Sequence, residues 1–169
     1  MFDNSRYNDY IGRVAKGIQA EIKQGRPFSS LEEEAFVALQ HTADQLAGRI
    51  SEMLKQHGLS PTQYNALRIL RGAGPNGLAC SEIGERMINR DPDITRLVDR
   101  LERRGFVERA REQKDRRVIT TRITPEGLQT LKELDRPIEE YHRRLLGHLG
   151  EQRLHSLIRL LEAAREPAV

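Results

Sequence analysis

Apolar positions in the first third of the chain fall at helical spacing. Tyr7, Ile11, Val14, Ile18 and Ile22 step by three and four, which predicts a helix over residues 5–24. Gly12 and Gly17 weaken it, so this helix needs a surface to pack on. Gly25-Arg26-Pro27 breaks the chain. Ser30, with Glu33 at the capping-box position, starts a second helix that runs to about His57. Its seam is Phe36, Leu39, Ala43, Leu46, Ile50 and Met53, and Gly58 ends it. Ser60-Pro61-Thr62-Gln63 opens a third helix with a cap, a proline at the first helical position and a capping-box glutamine. Tyr64, Leu67 and Leu70 face inward, and the glycines of residues 72–77 stop it.

Shorter elements follow. Ser81 to Met87 reads as a short helix and Asn89-Arg90-Asp91-Pro92 as a tight connection. Asp91 is the expected cap of the next helix and Pro92 its first residue. Ile94, Leu97, Val98 and Leu101 form the buried stripe of that helix, which Gly105 ends. Residues 106–111 and 118–123 are β-branched and arginine-rich, and flank Glu112-Gln-Lys-Asp-Arg-Arg117, the pattern of a β-hairpin with a charged tip. Thr124-Pro125 begins a long helix lined by Leu128, Leu131, Leu134, Ile138, Tyr141 and Leu145, with a kink expected from Pro137. Gly150 separates a last helix with the stripe Leu154, Leu157, Ile158 and Leu161. The predicted fold is mainly α with one small antiparallel β-wing. It comprises N-terminal helices (1–57), a winged helix-turn-helix lobe (58–124) and C-terminal helices (125–169).

Composition narrows the function. A net charge of +3 over 169 residues decides little, but between Arg96 and Arg122 ten bases stand against five acids. A basic segment inside a near-neutral protein predicts a docking surface for a polyanion. No apolar run reaches membrane-span length, so no membrane partner is expected, and the N-terminus lacks the pattern of a signal peptide. The single cysteine, Cys80, excludes an internal disulfide and fits a cytoplasmic protein. The five histidines show no ligand-pair spacing, and no nucleophile–base signature or phosphate loop is present. Gly72-Ala-Gly-Pro-Asn-Gly77 matches a dinucleotide fingerprint only in letters, because it follows a helix and contains a proline. Neither enzymatic activity nor a cofactor is expected.

Helix, short helix, tight turn, helix and charged hairpin is the order of a winged helix-turn-helix, whose second helix fits the major groove of DNA. Opposite the buried stripe lie Asp93, Arg96 and Arg100, with Thr95 and Asp99 on the flanks. Arg96 can bond guanine or phosphate, and Thr95 suits a phosphate, a base edge or a thymine methyl. Ser81 joins these as a DNA-binding candidate, and the hairpin can lay Lys114, Arg116 and Arg117 along the backbone or into the minor groove. Arg100, Arg103 and Arg104 read equally as solvated helix charges, and Asp99 as a holder of Arg117.

Residues 59–134 resemble the MarR family of bacterial regulators. The resemblance rests on Ile94-Thr-Arg-Leu-Val-Asp-Arg-Leu-Glu-Arg-Arg-Gly-Phe-Val107, on Asp115-Arg-Arg117, and on Ile123-Thr-Pro-Glu-Gly127. It implies a homodimer built from the N- and C-terminal helices. It also implies a recognition helix carrying Thr95 and Arg96, a wing whose Arg117 enters the minor groove, and a small aromatic or lipophilic effector. Two departures stand out: Asp91 and Asp93 replace the family's usual serines or threonines, and the helix at residues 5–24 is longer than the family's. The expected function is a sequence-specific regulator of double-stranded DNA, a repressor released by a small molecule. The alternatives are a winged-helix protein-interaction module without DNA binding, or a thiol-responsive regulator using Cys80.

Overall fold

A computed structural model describes residues 17–89, 93–111 and 119–166. The chain divides into two compact units, residues 1–50 and residues 51–169. Of the predicted N-terminal helix, Tyr7, Ile11 and Val14 lie outside the described residues. Its described end is one helical turn, α1 (Ile18–Glu21). The second predicted helix is α2 (Leu31–Gln56), and Ser30 Oγ accepts from Glu33 N–H at its start. Return bonds to Glu33 come from Ser29, whose N–H and hydroxyl both donate to Oε2.

The second unit is built around α3 (Pro61–Ala73). Its predicted capping box is complete: Ser60 Oγ accepts from Gln63 N–H at 3.2 Å, and Gln63 Oε1 accepts from Ser60 N–H at 3.0 Å. Leu67 and Leu70 are fully buried. A 3₁₀ turn at Gly74–Asn76 leads into β1 (Leu78–Ala79), a two-residue strand too short to leave a periodic signal in the sequence. Helix α4 (Cys80–Arg86) follows directly. Ala79 has no side-chain acceptor, so half of a capping box is made, with Glu82 Oε2 accepting from Ala79 N–H at 2.8 Å.

Helix α5 (Ile94–Arg103) begins later than the sequence predicts. Asp93, not Asp91, is its cap, accepting from Arg96 N–H at 3.0 Å through Oδ1. Asp91 and Pro92 lie outside the described residues. Two features seat α5 on the body of the unit. Gly84 in α4 faces Ile94, where an added Cβ would approach Ile94 Cγ1 to 3.2 Å, so the two helices cross at a position that suits a residue without a side chain. After α4, Ile88 N–H donates to Asn65 Oδ1 at 2.9 Å, fixing the turn to α3.

Strands β2 (Val107–Arg111) and β3 (Ile119–Ile123) form the predicted hairpin. The sheet order is β1-β3-β2, antiparallel throughout, with Leu78 opposite Thr121 and Arg109 opposite Thr121 on the other side. Strand alternation puts Val107 and Arg109 on one face, and Arg109 is held there by α5. Its Nη2 donates to Asp99 Oδ1 and to the Thr95 carbonyl, and its backbone N–H donates to Glu102 Oε1 at 3.1 Å. Its Nε, buried, lies 3.8 Å from Glu102 Oε2, beyond hydrogen-bond reach.

The motif Ile123-Thr-Pro-Glu-Gly127 ties the sheet to helix α6 (Pro125–Leu146). Thr124 Oγ1 accepts from Gly127 N–H at 3.1 Å and donates to the Gly105 carbonyl at 2.6 Å, so one hydroxyl caps α6 and anchors the end of α5. Gly127 is buried where a Cβ would collide with the Phe106 carbonyl and come within 2.8 Å of Ile123 Cγ1. Helix α6 runs through Pro137 without a break, and Leu131, Leu134 and Ile138 enter the core. A 3₁₀ turn (Gly147–Leu149) leads to α7 (Glu151–Ala163), in which no residue is buried.

Two substitutions test this packing. Gly127→Ala should cost about 1–3 kcal/mol, because the obstructing atom is backbone and cannot rotate away. Urea unfolding should show an earlier midpoint at unchanged slope, and an unchanged midpoint would contradict the close approach. Arg109→Leu keeps the bulk but leaves Asp99 and Glu102 facing each other without a cation. The expected loss is about 1–2 kcal/mol, moderated because both carboxylates are half exposed. Amide exchange in β2 should accelerate with it, whereas protection equal to the native protein would show that the guanidinium holds nothing.

Candidate nucleic-acid interface

The outward face of α5 is set by helical periodicity. Leu97, Val98 and Leu101 are fully buried, which turns Thr95, Arg96 and Arg100 into solvent. Ser81, near the start of α4, is also exposed. Asp93 sits at the N-terminal tip of α5 and makes two contacts with one residue. Its Oδ1 caps Arg96 N–H at 3.0 Å, while its Oδ2 lies 2.9 Å from Arg96 Nε. The Arg96 side chain is 82% exposed, so this ion pair stands on the surface that would meet a ligand.

The other basic residues of the segment divide by role. Arg103 Nε donates to the Asp99 carbonyl within its own helix. Arg104 Nη1 donates to the Gly58 carbonyl at 2.6 Å, and its guanidinium lies 4.5 Å from the Phe106 ring centroid, a packed cation–π contact. Arg122 Nε donates to the Asn76 carbonyl. Arg109 is committed to α5, where it engages Asp99; the expected Asp99–Arg117 contact falls on a residue outside the described ones. Arg96 and Arg100 remain as the described cations on the exposed side of the helix. Lys114, Arg116 and Arg117 lie outside the described residues.

Arg109 went unread in the sequence as a functional residue because it was counted with the surface charge. Its signal was the alternation Val107-Glu108-Arg109, which places it on the apolar side of the strand. Cys80, the first residue of α4, is half-buried. Among the described residues, no group of three or more histidines, cysteines or carboxylates is placed to hold a metal ion, and no helix is long and apolar enough to cross a membrane.

A second feature of the same unit is a groove of about 200 Å³ between α3 and α6, lined by Tyr64, Arg68, Arg71, Asp135, Ile138, Glu139 and His142. Burial raises the Tyr64 phenol above its ordinary value, so it stays a neutral donor across physiological pH. The Arg68 guanidinium stands 5.7 Å from the Tyr64 ring centroid. Arg71 Nη1 donates to Asp135 Oδ2 at 2.9 Å, which raises the arginine further and ties the two helices together. The groove thus combines the ring and phenol of Tyr64, the Arg68 guanidinium and the Arg71–Asp135 ion pair, with Glu139 and His142 at its side.

Comparison with known proteins agrees with this geometry. A sequence model described as the MarR family matches residues 59–119. The HTH-type transcriptional regulator YkoM of Bacillus subtilis is 34% identical over 80 residues, covering 47% of this chain and 51% of that protein. The HTH-type transcriptional repressor MdtR of the same organism is 30% identical over 132 residues, 76% of this chain and 84% of that one. Among solved structures, a MarR transcription factor from Planctomyces limnophilus superposes with a TM-score of 0.62 at 44% identity, covering 81% of this chain and 99% of that chain. Taken with the winged helix-turn-helix of α4, α5 and the β2–β3 hairpin, these similarities show that the chain belongs to the MarR family of DNA-binding transcriptional regulators.

Proposed function

We propose that this chain is a homodimeric repressor that reads a pseudo-palindromic operator through α5 and leaves it when a small aromatic acid binds. The observation that carries the DNA reading is the exposed row Thr95, Arg96 and Arg100, on a helix pinned to its wing by Arg109. The N-terminal part of such a helix contacts base edges, and the wing supplies backbone or minor-groove contacts. In this reading Arg96 reads guanine, Thr95 and Ser81 contact backbone, Arg100 supports them, and Lys114, Arg116 and Arg117 act from the hairpin tip. The name of MdtR, a repressor, supports the sign of regulation.

Dimerisation follows from uncovered apolar surface. In α2, Phe36 and Leu39 are 61% and 44% exposed, and in α7, Ile158 and Leu160 are 51% and 68% exposed. Faces of that kind require a partner, and a twofold copy of the chain supplies one with matching surfaces. The helices at residues 1–57 and 125–169 accordingly form the dimerisation part, and residues 58–124 the DNA-binding lobe.

The groove at Tyr64 supports the effector. The Arg68 guanidinium suits a carboxylate and the Tyr64 ring suits an aromatic group. NadR, a protein of the same fold at 24% identity and a TM-score of 0.64, has been solved in complex with 4-hydroxyphenylacetate, a ligand of that chemical class.

Three outcomes are expected. Sedimentation should give a dimer at micromolar concentration, and Ile158→Glu with Leu160→Glu should shift it to monomer; a native monomer would refute the assembly. In fluorescence anisotropy, Arg96→Ala should weaken a duplex from the gene's own upstream region by about 1–3 kcal/mol while sparing scrambled DNA. Arg117→Ala should weaken both and flatten the dimer's log–log salt slope by about 2. Equal losses on both duplexes for Arg96→Ala would defeat its assigned role. Finally, 4-hydroxyphenylacetate or a related aromatic acid should raise the melting temperature of the native protein but not of Arg68→Ala. An equal shift in both would move the effector site elsewhere.

A further inference from the structure

Asp93 poses a physical question that DNA binding alone does not answer. A helix N-terminus pointing into DNA is a favourable place for phosphate, because its free N–H groups and dipole attract anions. Here a carboxylate occupies that end. It caps the helix, but serine or threonine would cap as well without repelling the polyanion. The charge must therefore either be a cost or have a use.

The geometry shows a use. The two carboxylate oxygens of Asp93 engage the same residue at two points: Oδ1 takes the Arg96 backbone N–H at 3.0 Å, and Oδ2 stands 2.9 Å from Arg96 Nε. This closes a ring between the cap and the side chain three residues later. A long arginine that is 82% exposed would otherwise sample many rotamers and would be drawn to the nearest phosphate. With Nε paired to the carboxylate, Nη1 and Nη2 are the guanidinium atoms left for another partner. Neither atom has a hydrogen bond or ion pair to another of the described residues. Two parallel N–H groups at the end of a planar fork match O6 and N7 of guanine.

We propose that Asp93 is a specificity-determining positioning residue, which holds Arg96 in a guanine-reading pose and denies it the alternative of binding phosphate. The inference rests on the DNA-reading role of α5 proposed above. Its consequence is a trade. The carboxylate lowers attraction to any DNA backbone, and in return the arginine contributes to discrimination between bases more than to bulk affinity.

The test uses the full-length protein and a pool of random duplexes, so no operator need be known. Selection with the native protein should enrich a motif with guanine at one position in each half-site, and Arg96→Ala should lose that preference. Asp93→Asn keeps a capping oxygen and the shape of the side chain but removes the charge. It should leave the melting temperature unchanged, reduce the guanine preference by about tenfold, and bind scrambled DNA more tightly. Its salt slope on scrambled DNA should steepen by up to about 2 per dimer, as each freed arginine takes a phosphate. Asp93→Ser should behave the same way. In the Arg96→Ala background, Asp93→Asn should no longer change base preference. The proposal is overturned if Asp93→Asn retains the native guanine preference, or if it tightens selected and scrambled duplexes by the same factor, since the aspartate would then only repel. If the native protein enriches no motif, the DNA-reading role of α5 fails and this inference fails with it. A native motif that Asp93→Asn reproduces defeats the inference alone.

Discussion

The guanidinium of Arg109 is the contact that ties the wing to α5. A winged helix-turn-helix presents two elements, a helix and a hairpin, joined covalently only through the end of the helix and the first strand. Pairing of β3 with β1 holds the wing on one side. Arg109 adds a direct tie by crossing from β2 to α5, where it meets Asp99, Glu102 and the Thr95 carbonyl. The acids on this flank of α5 are thus neutralised by the wing itself, and the carbonyl it reaches belongs to a candidate base-reading residue. Thr124 supplies the complementary restraint at the far end, bonding the Gly105 carbonyl while capping α6. Helix, wing and α6 are held by a few polar contacts whose geometry is narrow, on a core of Leu67, Leu70, Leu97 and Leu101 whose packing is ordinary.

The same contact changes the meaning of the basic segment. Read as composition, ten bases over residues 96–122 make a patch for polyanion. In the folded chain Arg103, Arg104, Arg109 and Arg122 are turned to carbonyls, a phenylalanine ring or carboxylates of the protein. The described helix therefore offers Arg96 and Arg100 to a partner. Among the described residues, then, much of the basic segment serves the fold, and composition alone overstates how many of its charges face outward.

What the sequence showed and what it hid follow from the range of the interactions concerned. The helices capped by Ser60 and Thr124, the buried stripe of α5 and the hairpin were legible because caps, periodicity and turn residues act over a few positions. Strand β1 was not, since two residues carry no alternation and its pairing with β3 spans about forty residues of chain. The cap of α5 was misplaced by two residues because Asp91-Pro92 and Asp93 both satisfy the local rule, and only the fold decides between them. The contact of Asp99 with Arg109 was hidden for the same reason. Charge complementarity alone does not say which arginine of a basic segment reaches the helix. Gly84 and Gly127 show their importance only when the neighbouring backbone is in place.

The DNA-reading surface proposed for this chain joins α5 to the wing. Its most direct test is amide chemical-shift mapping of the isotopically labelled protein as a selected duplex is added. The account predicts that the largest perturbations fall on residues 93–100 and on the hairpin between Arg109 and Ile119, saturating together at one duplex per dimer. Perturbations confined to α2 or α7, or a helix that responds while the hairpin does not, would contradict it.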